Sequence, residues 1–97
     1  MSASRNHVAD HIERLGYRVL EVNARTRFGF IGVVALDGDD LVFVNAGPTQ
    51  LAARNRASSW IARNDRPLAR EIRFDTVSTV QTVGGTLLSL EHVVGAA

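Results

Sequence analysis

Apolar residues near the N-terminus recur at the spacing of a helix. Val8, Ile12 and Leu15 follow one another at intervals of four and three positions, so their side chains share one helical face. We expect Ser4 to cap the N-terminus of this helix, because its hydroxyl can accept a hydrogen bond from the first turn. Gly16 follows the apolar positions and is the residue type that most readily ends a helix. The pattern therefore predicts a first helix between Ser4 and Gly16.

The next part of the chain predicts three consecutive strands. Residues 17–27 favour a first strand, and two nearly unbroken apolar runs follow at 30–36 and 41–44. Continuous apolar runs of this length are typical of strands that are buried on both faces of a sheet. The sequence Asp-Gly-Asp-Asp at 37–40 is a turn signal between the runs. We therefore expect the second and third strands to form a hairpin.

A second helix is predicted after this hairpin. Pro48 suits the first turn of a helix, with Thr49 beside it, and the sequence Asn-Asp-Arg-Pro at 64–67 ends the pattern. The apolar face of the helix is formed by Ala53, Ala57, Trp60 and Ile61. The small alanines would let the helix lie close to a sheet. We therefore expect Trp60 to pack in the core rather than to stack on a nucleic-acid base.

Two further strands complete the pattern. Residues 72–80 favour a strand that carries Ile72, Phe74, Thr76, Ser78 and Val80 on one face. Gly84 and Gly85 predict a turn, after which residues 86–93 return as a last strand. The predicted order is α-β-β-β-α-β-β. The predicted fold class is α/β, with a mixed central sheet flanked by helices.

Composition limits the classes of function. The 97 residues predict a single domain spanning 1–97, and the formal charge of +1 does not by itself indicate a nucleic-acid binder. The chain has no cysteine, which excludes a disulfide framework and a thiol nucleophile. All eleven strongly basic side chains are arginine, so no lysine is available for catalysis. No apolar run has the length of a membrane span, and we expect a soluble, cytoplasmic protein with no membrane partner.

Short motifs in this order carry a resemblance. They are Leu15-Gly16-Tyr17-Arg18, Asn23-x-Arg25, Gly29-x-Ile31, Leu41-Val-Phe-Val44, Trp60-Ile61-Ala62, Arg73-Phe74-Asp75 and Leu90-Glu91-His92-Val93. Their order and spacing resemble the YraN-like family of predicted endonucleases, and the likeness covers most of the chain. The resemblance implies the restriction-endonuclease-like fold.

The same resemblance implies a metal-dependent site that this chain lacks. The family's first acid position corresponds to Gly32, the glutamate just before it to Phe30, and the acid-x-lysine motif to 45–47, where Asn45 and Gly47 stand. A further family acid falls near Arg5. Divalent cations that assist phosphodiester hydrolysis are held by carboxylate oxygens, which glycine and asparagine do not supply. We therefore expect no bound metal or cofactor, no catalytic residues and no nuclease activity.

The leading prediction is a catalytically inactive nuclease-like domain that binds DNA or RNA without cleavage. Arg25 and Arg27 are two positions apart on a predicted strand and share a face, and Arg56 and Arg63 are seven apart on one flank of the second helix. Such arginines can bind phosphates, although an ordinary solvated surface balanced by Asp10, Asp65 and Glu71 is the favoured interpretation. Against this, Gly47 and Pro48 lead almost directly into the helix, where the family has a long basic segment.

The alternative prediction is a protein-interaction or homodimerisation module. Phe30, Ile31, Val33 and Val34 form a continuous apolar stretch where the family carries charge. Such a stretch either extends the core or lines an interface between two proteins.

An enzyme that uses other residues is a third alternative. His7 and His11 are four positions apart, with Asp10 between them, and this spacing can hold one metal ion if His92 or Glu91 supplies a third ligand. Two ordinary surface histidines are the favoured interpretation.

One acidic cluster also needs an interpretation. Asp37, Asp39 and Asp40 lie within four residues, which suggests either a cation loop or a turn. A calcium loop of the EF-hand type needs more ligands and a distal glutamate, so a solvated turn is favoured.

Overall fold

The computed structural model describes residues 6–46, 50–64 and 71–95. Within these ranges the chain forms, in order, α1 (His7–Arg14), β1 (Arg18–Thr26), β2 (Gly29–Asp37), β3 (Asp40–Asn45), α2 (Gln50–Arg63), β4 (Glu71–Gln81) and β5 (Leu87–Val93). The predicted order α-β-β-β-α-β-β is confirmed. The predictions for Arg5, Gly47, Pro48, Thr49 and 65–67 fall outside the described residues.

The strands form one sheet in the order β1-β2-β3-β4-β5. All neighbouring pairs are antiparallel except β3 and β4, which pair in parallel with Phe43 opposite Phe74. This exception follows from connectivity, because β3 and β4 are joined through α2, whereas the other pairs are joined by short turns. The predicted mixed sheet is confirmed.

The two helices pack on opposite faces of the sheet. Ile12 of α1 belongs to one buried cluster with Val33, Val42 and Val77. On the other face, Ala57 and Trp60 of α2 belong to a second cluster, together with Ile31, Val34, Leu41 and Phe43. Alternate residues of β3 thus enter both clusters, and the prediction that this strand is buried on both faces is confirmed. No helix in the described part of the chain is long and apolar enough to cross a lipid bilayer.

The first helix begins later than expected. Asn6 is the N-cap, and its side-chain oxygen accepts a hydrogen bond from the backbone N–H of Ala9 at 2.9 Å, so the prediction of a cap at Ser4 was wrong. The C-terminal prediction is confirmed: Gly16 has φ +92°, and its N–H donates to the carbonyl of Glu13. Leu15 is the C-cap and is 52% exposed, so it does not share the buried face of Ile12.

The regular alternation of side chains along β2 is interrupted between Ile31 and Val33. Ile31 packs in the cluster under α2, whereas Val33, only two positions later, packs in the cluster under α1. Regular alternation would put both side chains on one face. Asn23, which lies opposite Gly32 in the register, has φ +52°. The direction of the side chains along β2 therefore changes at Gly32.

β4 buries the face opposite to the one that carries Ile72 and Val80. Ile72 and Val80, on the face singled out from the sequence, are exposed, and Phe74 is half-buried against the α2 cluster. The fully buried residues are Asp75 and Val77, which point to the opposite face. The turn predicted at 84–85 is confirmed by a hydrogen bond from the N–H of Gly85 to the carbonyl of Thr82.

Candidate nucleic-acid interface

The positions where the resemblance implies catalytic residues do converge in the structure. Phe30 and Gly32 on β2 and Asn45 on β3 line one cavity of about 350 Å³, together with Ala46 and Arg56. Asn45 is buried, with 7% of its surface exposed. No carboxylate lines the cavity within the described part of the chain. Three of the four positions taken from the resemblance therefore line one concavity, and Gly47 lies outside the described residues.

The main chains of the two strands lie unusually close at this site. A Cβ atom built on Gly32 would be 3.0 Å from the carbonyl oxygen of Val44, which is closer than Cβ atoms ordinarily approach backbone oxygens. Any side chain at this position therefore needs the carbonyl of Val44 to shift by a few tenths of an ångström, which favours glycine. An aspartate could stand at position 32 only if the strands moved apart.

Arg56 brings a positive charge to the cavity. Its Nη1 and Cδ atoms lie 3.6 and 3.7 Å from a Cβ built on Gly29, whose φ of +115° favours glycine. The guanidinium thus lies over the backbone at the start of β2. The Nε atom of Arg56 is buried and has no hydrogen-bond partner.

The other three arginines singled out from the sequence lie at the same end of the molecule. The Nη1 atom of Arg63 donates to the carbonyl oxygen of Arg25 at 3.3 Å, which joins the end of α2 to β1. Arg27 lies in the turn between β1 and β2, with its Cζ 5.3 Å from the ring centroid of Phe28. Because β1 ends at Thr26, the prediction that Arg25 and Arg27 share a strand face was wrong.

These four residues, which we call the arginine cluster (Arg25, Arg27, Arg56 and Arg63), surround the turn between β1 and β2. The turn is held by Thr26, whose Oγ1 donates to the carbonyl of Gly29 at 2.6 Å and accepts from the N–H of Phe28. No ion pair joins the cluster to an acidic side chain among residues 6–46, 50–64 and 71–95. Its charge is therefore available to an external anion.

Trp60 does not contribute to this surface. It is 5% exposed and packs edge-on against Phe43, with ring centroids 5.8 Å apart. Its Nε1–H donates to Glu21 Oε1 at 2.9 Å. The prediction that Trp60 belongs to the core is confirmed.

A second polar cluster, which the sequence did not reveal, lies on the α1 side of the sheet. Arg73 donates to both carboxylate oxygens of Asp75 at 2.9 and 3.1 Å, and also to Tyr17 and Asp37. Asp75 accepts further from His92 Nε2 at 2.8 Å. The alternation Arg73-x-Asp75 in a buried strand was the available signal, because it puts two opposite charges on one face.

The same contacts correct the interpretation of the acidic turn. Asp37 lies 2.8 Å and Asp40 3.5 Å from Arg73 Nη1, and both carboxylates are only part-exposed. The turn between β2 and β3 is therefore tied to β4 by ion pairs rather than fully solvated.

The structure brings His11 to His92, one of the distant residues considered as a further ligand, whereas His7 takes another partner. His11 Nε2 is 3.0 Å from His92 Nδ1, whereas His7 Nε2 is 2.8 Å from the carbonyl of Gly85. Since Asp75 accepts from His92 Nε2–H, His92 Nδ1 is left to accept from His11 when both rings are neutral. His11 is thus a member of the buried network, which corrects its interpretation as an ordinary surface histidine. Across the described residues, no three His, Asp or Glu side chains are arranged to hold a metal.

The network changes the acidity of its members. Burial acts to raise the pKa of Asp75, but hydrogen bonds from Arg73, the N–H of Gly95 and His92 outweigh it and hold the pKa below its ordinary value. The hydrogen bond to Asp75 is the largest cause that raises the pKa of Arg73. Burial first, and then the charges of His92 and Arg14, lower the pKa of His11.

Comparison with known proteins decides the family. A UPF0102 protein from Geobacter metallireducens is 35% identical, covering 89% of this chain and 81% of that protein. A UPF0102 protein from Chloroflexus aurantiacus is 30% identical, covering 91% of this chain and 83% of that protein. The chain belongs to the UPF0102 family. This is the YraN-like family of predicted endonucleases, so the resemblance drawn from the motifs is confirmed.

A further UPF0102 relative, from Pseudarthrobacter chlorophenolicus, is 35% identical over 90% of this chain and 76% of its own length. No protein-family model matches the sequence. Membership in the UPF0102 family supports a nuclease-like protein, and the names of these relatives specify no ligand or reaction.

Proposed function

We propose that this UPF0102 protein binds nucleic acid and does not cleave it. The observation that carries the proposal is the arginine cluster, which surrounds the same end of the sheet as the cavity between β2 and β3. Phosphate groups are the natural partners of unpaired guanidinium groups on a nuclease-like scaffold.

The side chains at the site support the absence of cleavage. Hydrolysis by this class of protein needs carboxylates that hold a divalent cation, and a base or a lysine that positions water. Gly32 offers no side chain, Asn45 offers a neutral amide, and the chain contains no lysine. Residues that act as a unit in catalysis fail together when several are replaced.

Binding and cleavage are tested on the same preparation. Fluorescence anisotropy with single-stranded, duplex and branched DNA, and with RNA, from about 20 to about 200 mM salt should give an affinity that falls steeply with salt. Arg25→Gln/Arg63→Gln should bind more weakly. Arg18→Gln, which removes an exposed arginine at the opposite end of β1, should bind nearly as the unmodified chain does.

Two results would overturn the proposal. One is no binding to any of these polynucleotides at the lowest salt. The other is degradation with added Mg²⁺ or Mn²⁺ that stops on chelation, follows the protein through purification and is abolished by Asn45→Ala.

A homodimer is the second candidate, and exposed aromatic residues favour it. Phe28, in the turn between β1 and β2, is 49% exposed, and Phe30, at the start of β2, is 61% exposed. Ile31, Val33 and Val34 are fully buried, so most of the apolar stretch extends the core of one chain and is not free to line an interface. Light scattering over a range of concentrations tests the candidate. A mass that stays at one chain and does not respond to Phe30→Ser would remove it.

A further inference from the structure

The cavity at the degenerate site contains a buried donor without an acceptor. Arg56 Nε has no hydrogen-bond partner, although guanidinium N–H groups are among the strongest donors in proteins. Leaving such a group buried and unpaired costs free energy, and native structures contain few of them. The chain itself therefore supplies no acceptor to this N–H group.

The surroundings of Arg56 select the kind of acceptor. Among the described residues, the cavity wall is formed by Phe30, Gly32, Asn45 and Ala46, with no acidic side chain. Its volume of about 350 Å³ is many times that of one water molecule, which occupies about 30 Å³ in the liquid. A cationic, acid-free cavity of this size suits a phosphate group, whose oxygens match the planar array of guanidinium donors.

Phe30 adds a second kind of contact. Its ring is 61% exposed and lines the same cavity, at the position where the family carries a glutamate. An exposed aromatic ring beside a phosphate site is the arrangement by which proteins bind unpaired bases, because every base can stack on such a ring. A base inside a duplex has both faces covered and cannot do so.

We infer that this cavity binds a nucleotide unit of a single-stranded nucleic acid, with the phosphodiester on the Arg56 guanidinium and the neighbouring base stacked on Phe30. The inference rests on the proposed nucleic-acid binding and deepens it. In this arrangement Arg56 supplies the positive charge that a divalent cation supplies in an active nuclease. The ligand is held and not cut, since no group at the site activates water.

The test uses the full chain and an oligothymidylate of about ten nucleotides, with a duplex of equal length as the competing ligand. Arg56→Gln should lower affinity for the single strand about tenfold, and Arg56→Lys should lower it less, because lysine keeps the charge but loses the planar array of donors. Arg54→Gln is the matched control, since Arg54 is an exposed arginine on the same helix. It should change affinity by no more than about twofold.

The stacking contact is tested separately. Phe30→Leu keeps an apolar side chain but removes the aromatic face, and should weaken binding of the single strand about tenfold while leaving duplex binding unchanged. Leu88→Ala, which truncates an exposed apolar side chain on β5, is its control. Equal affinities of Arg56→Gln and Arg54→Gln, or equal affinities of the unmodified chain for single strand and duplex, would overturn the inference and leave the general proposal of nucleic-acid binding intact.

The opposite failure is also distinguishable. If no polynucleotide binds, the proposed function is wrong, and the phosphate site is then tested alone by NMR titration with inorganic phosphate. A selective shift of the Arg56 Nε–H resonance, with that of Arg54 unmoved, would retain the phosphate site. No shift at Arg56 would overturn it.

Discussion

Asp75 is a charged residue in the interior of the sheet, and its partners explain how it is tolerated. It is 1% exposed and accepts hydrogen bonds from Arg73, His92 and the N–H of Gly95. A buried ion pair with satisfied hydrogen bonds is tolerated, but the loss of one partner leaves the other charge unpaired. The network therefore ties β4 to α1, β5 and the turn between β2 and β3.

The first prediction concerns this carboxylate. Asp75→Asn removes the buried carboxylate that accepts two hydrogen bonds from Arg73, but Asp37 and Asp40 still face that arginine, so the free energy of unfolding should fall by about 3 kcal/mol, the lower end of the cost of breaking a buried pair. Urea denaturation measures it. Asp39→Asn, in the exposed turn between β2 and β3, should change stability by less than about 0.5 kcal/mol. Similar values for the two variants would mean that Asp75 contributes no more than a surface carboxylate.

The second prediction concerns pH. The pKa of His11 is lowered from its ordinary value of 6.5, so the unfolded chain binds a proton more readily than the folded chain does as pH falls below that value. The stability that depends on neutral His11 should be lost over this range. The lowered pKa of Asp75 acts in the same sense at lower pH, because its contribution is present above the ordinary carboxyl pKa and is lost as pH falls through the folded pKa.

Urea midpoints measured from about pH 8 to about pH 5 check this sign. The unmodified chain should lose stability as pH falls, and His11→Gln should flatten the dependence in the upper part of the range. His7→Gln is the control, because His7 bonds to the carbonyl of Gly85 outside the network. An unchanged slope in His11→Gln would assign the pH dependence to other groups.

At the scale of elements, patterns local in sequence were the ones that predicted well. The apolar run at 41–44 indicated a doubly buried strand, and Gly16 marked a helix end, because both features depend on neighbours along the chain. The N-cap was misplaced because Ser4 and Asn6 are both good capping residues. Only the formed helix shows which side chain reaches an N–H group.

The contact between β2 and β3 gives the third prediction. Gly32→Ala should lower the free energy of unfolding by about 1–3 kcal/mol, because the added Cβ meets the carbonyl oxygen of Val44 and the strands must separate. Gly84→Ala is the matched control, since a Cβ there would lie 3.9 Å from its nearest neighbour, in ordinary contact. Thermal melting of both variants checks it. If Gly32→Ala and Gly84→Ala melt at the same temperature, the contact between position 32 and the carbonyl oxygen of Val44 does not limit the side chain at that position.

At the scale of the whole molecule, a net charge of +1 conceals two unlike regions. On the α1 side, Arg73 is neutralised by Asp37, Asp40 and Asp75, whereas the arginine cluster has no acidic partner among the described residues. The sequence suggested the residues of the arginine cluster, but neither the network around Arg73 nor this separation. The acidic partners of Arg73 come from the turn at 37–40 and from β4 itself, and only the topology of the sheet brings them together.

That separation gives the fourth prediction, on how binding responds to salt. Each phosphate contact contributes a slope of about −0.9 for duplex DNA, or about −0.7 for a single strand, to a plot of log affinity against log salt concentration. Arg25→Gln/Arg63→Gln removes two charges from the arginine cluster and should make the slope shallower by about 1.4 for a single strand or about 1.8 for duplex DNA. Arg18→Gln/Arg54→Gln removes two exposed arginines outside the cluster and should leave the slope nearly unchanged. Because both double variants carry the same net charge, equal slopes would mean that phosphates respond to total charge alone, and the arginine cluster would lose its role as the binding surface.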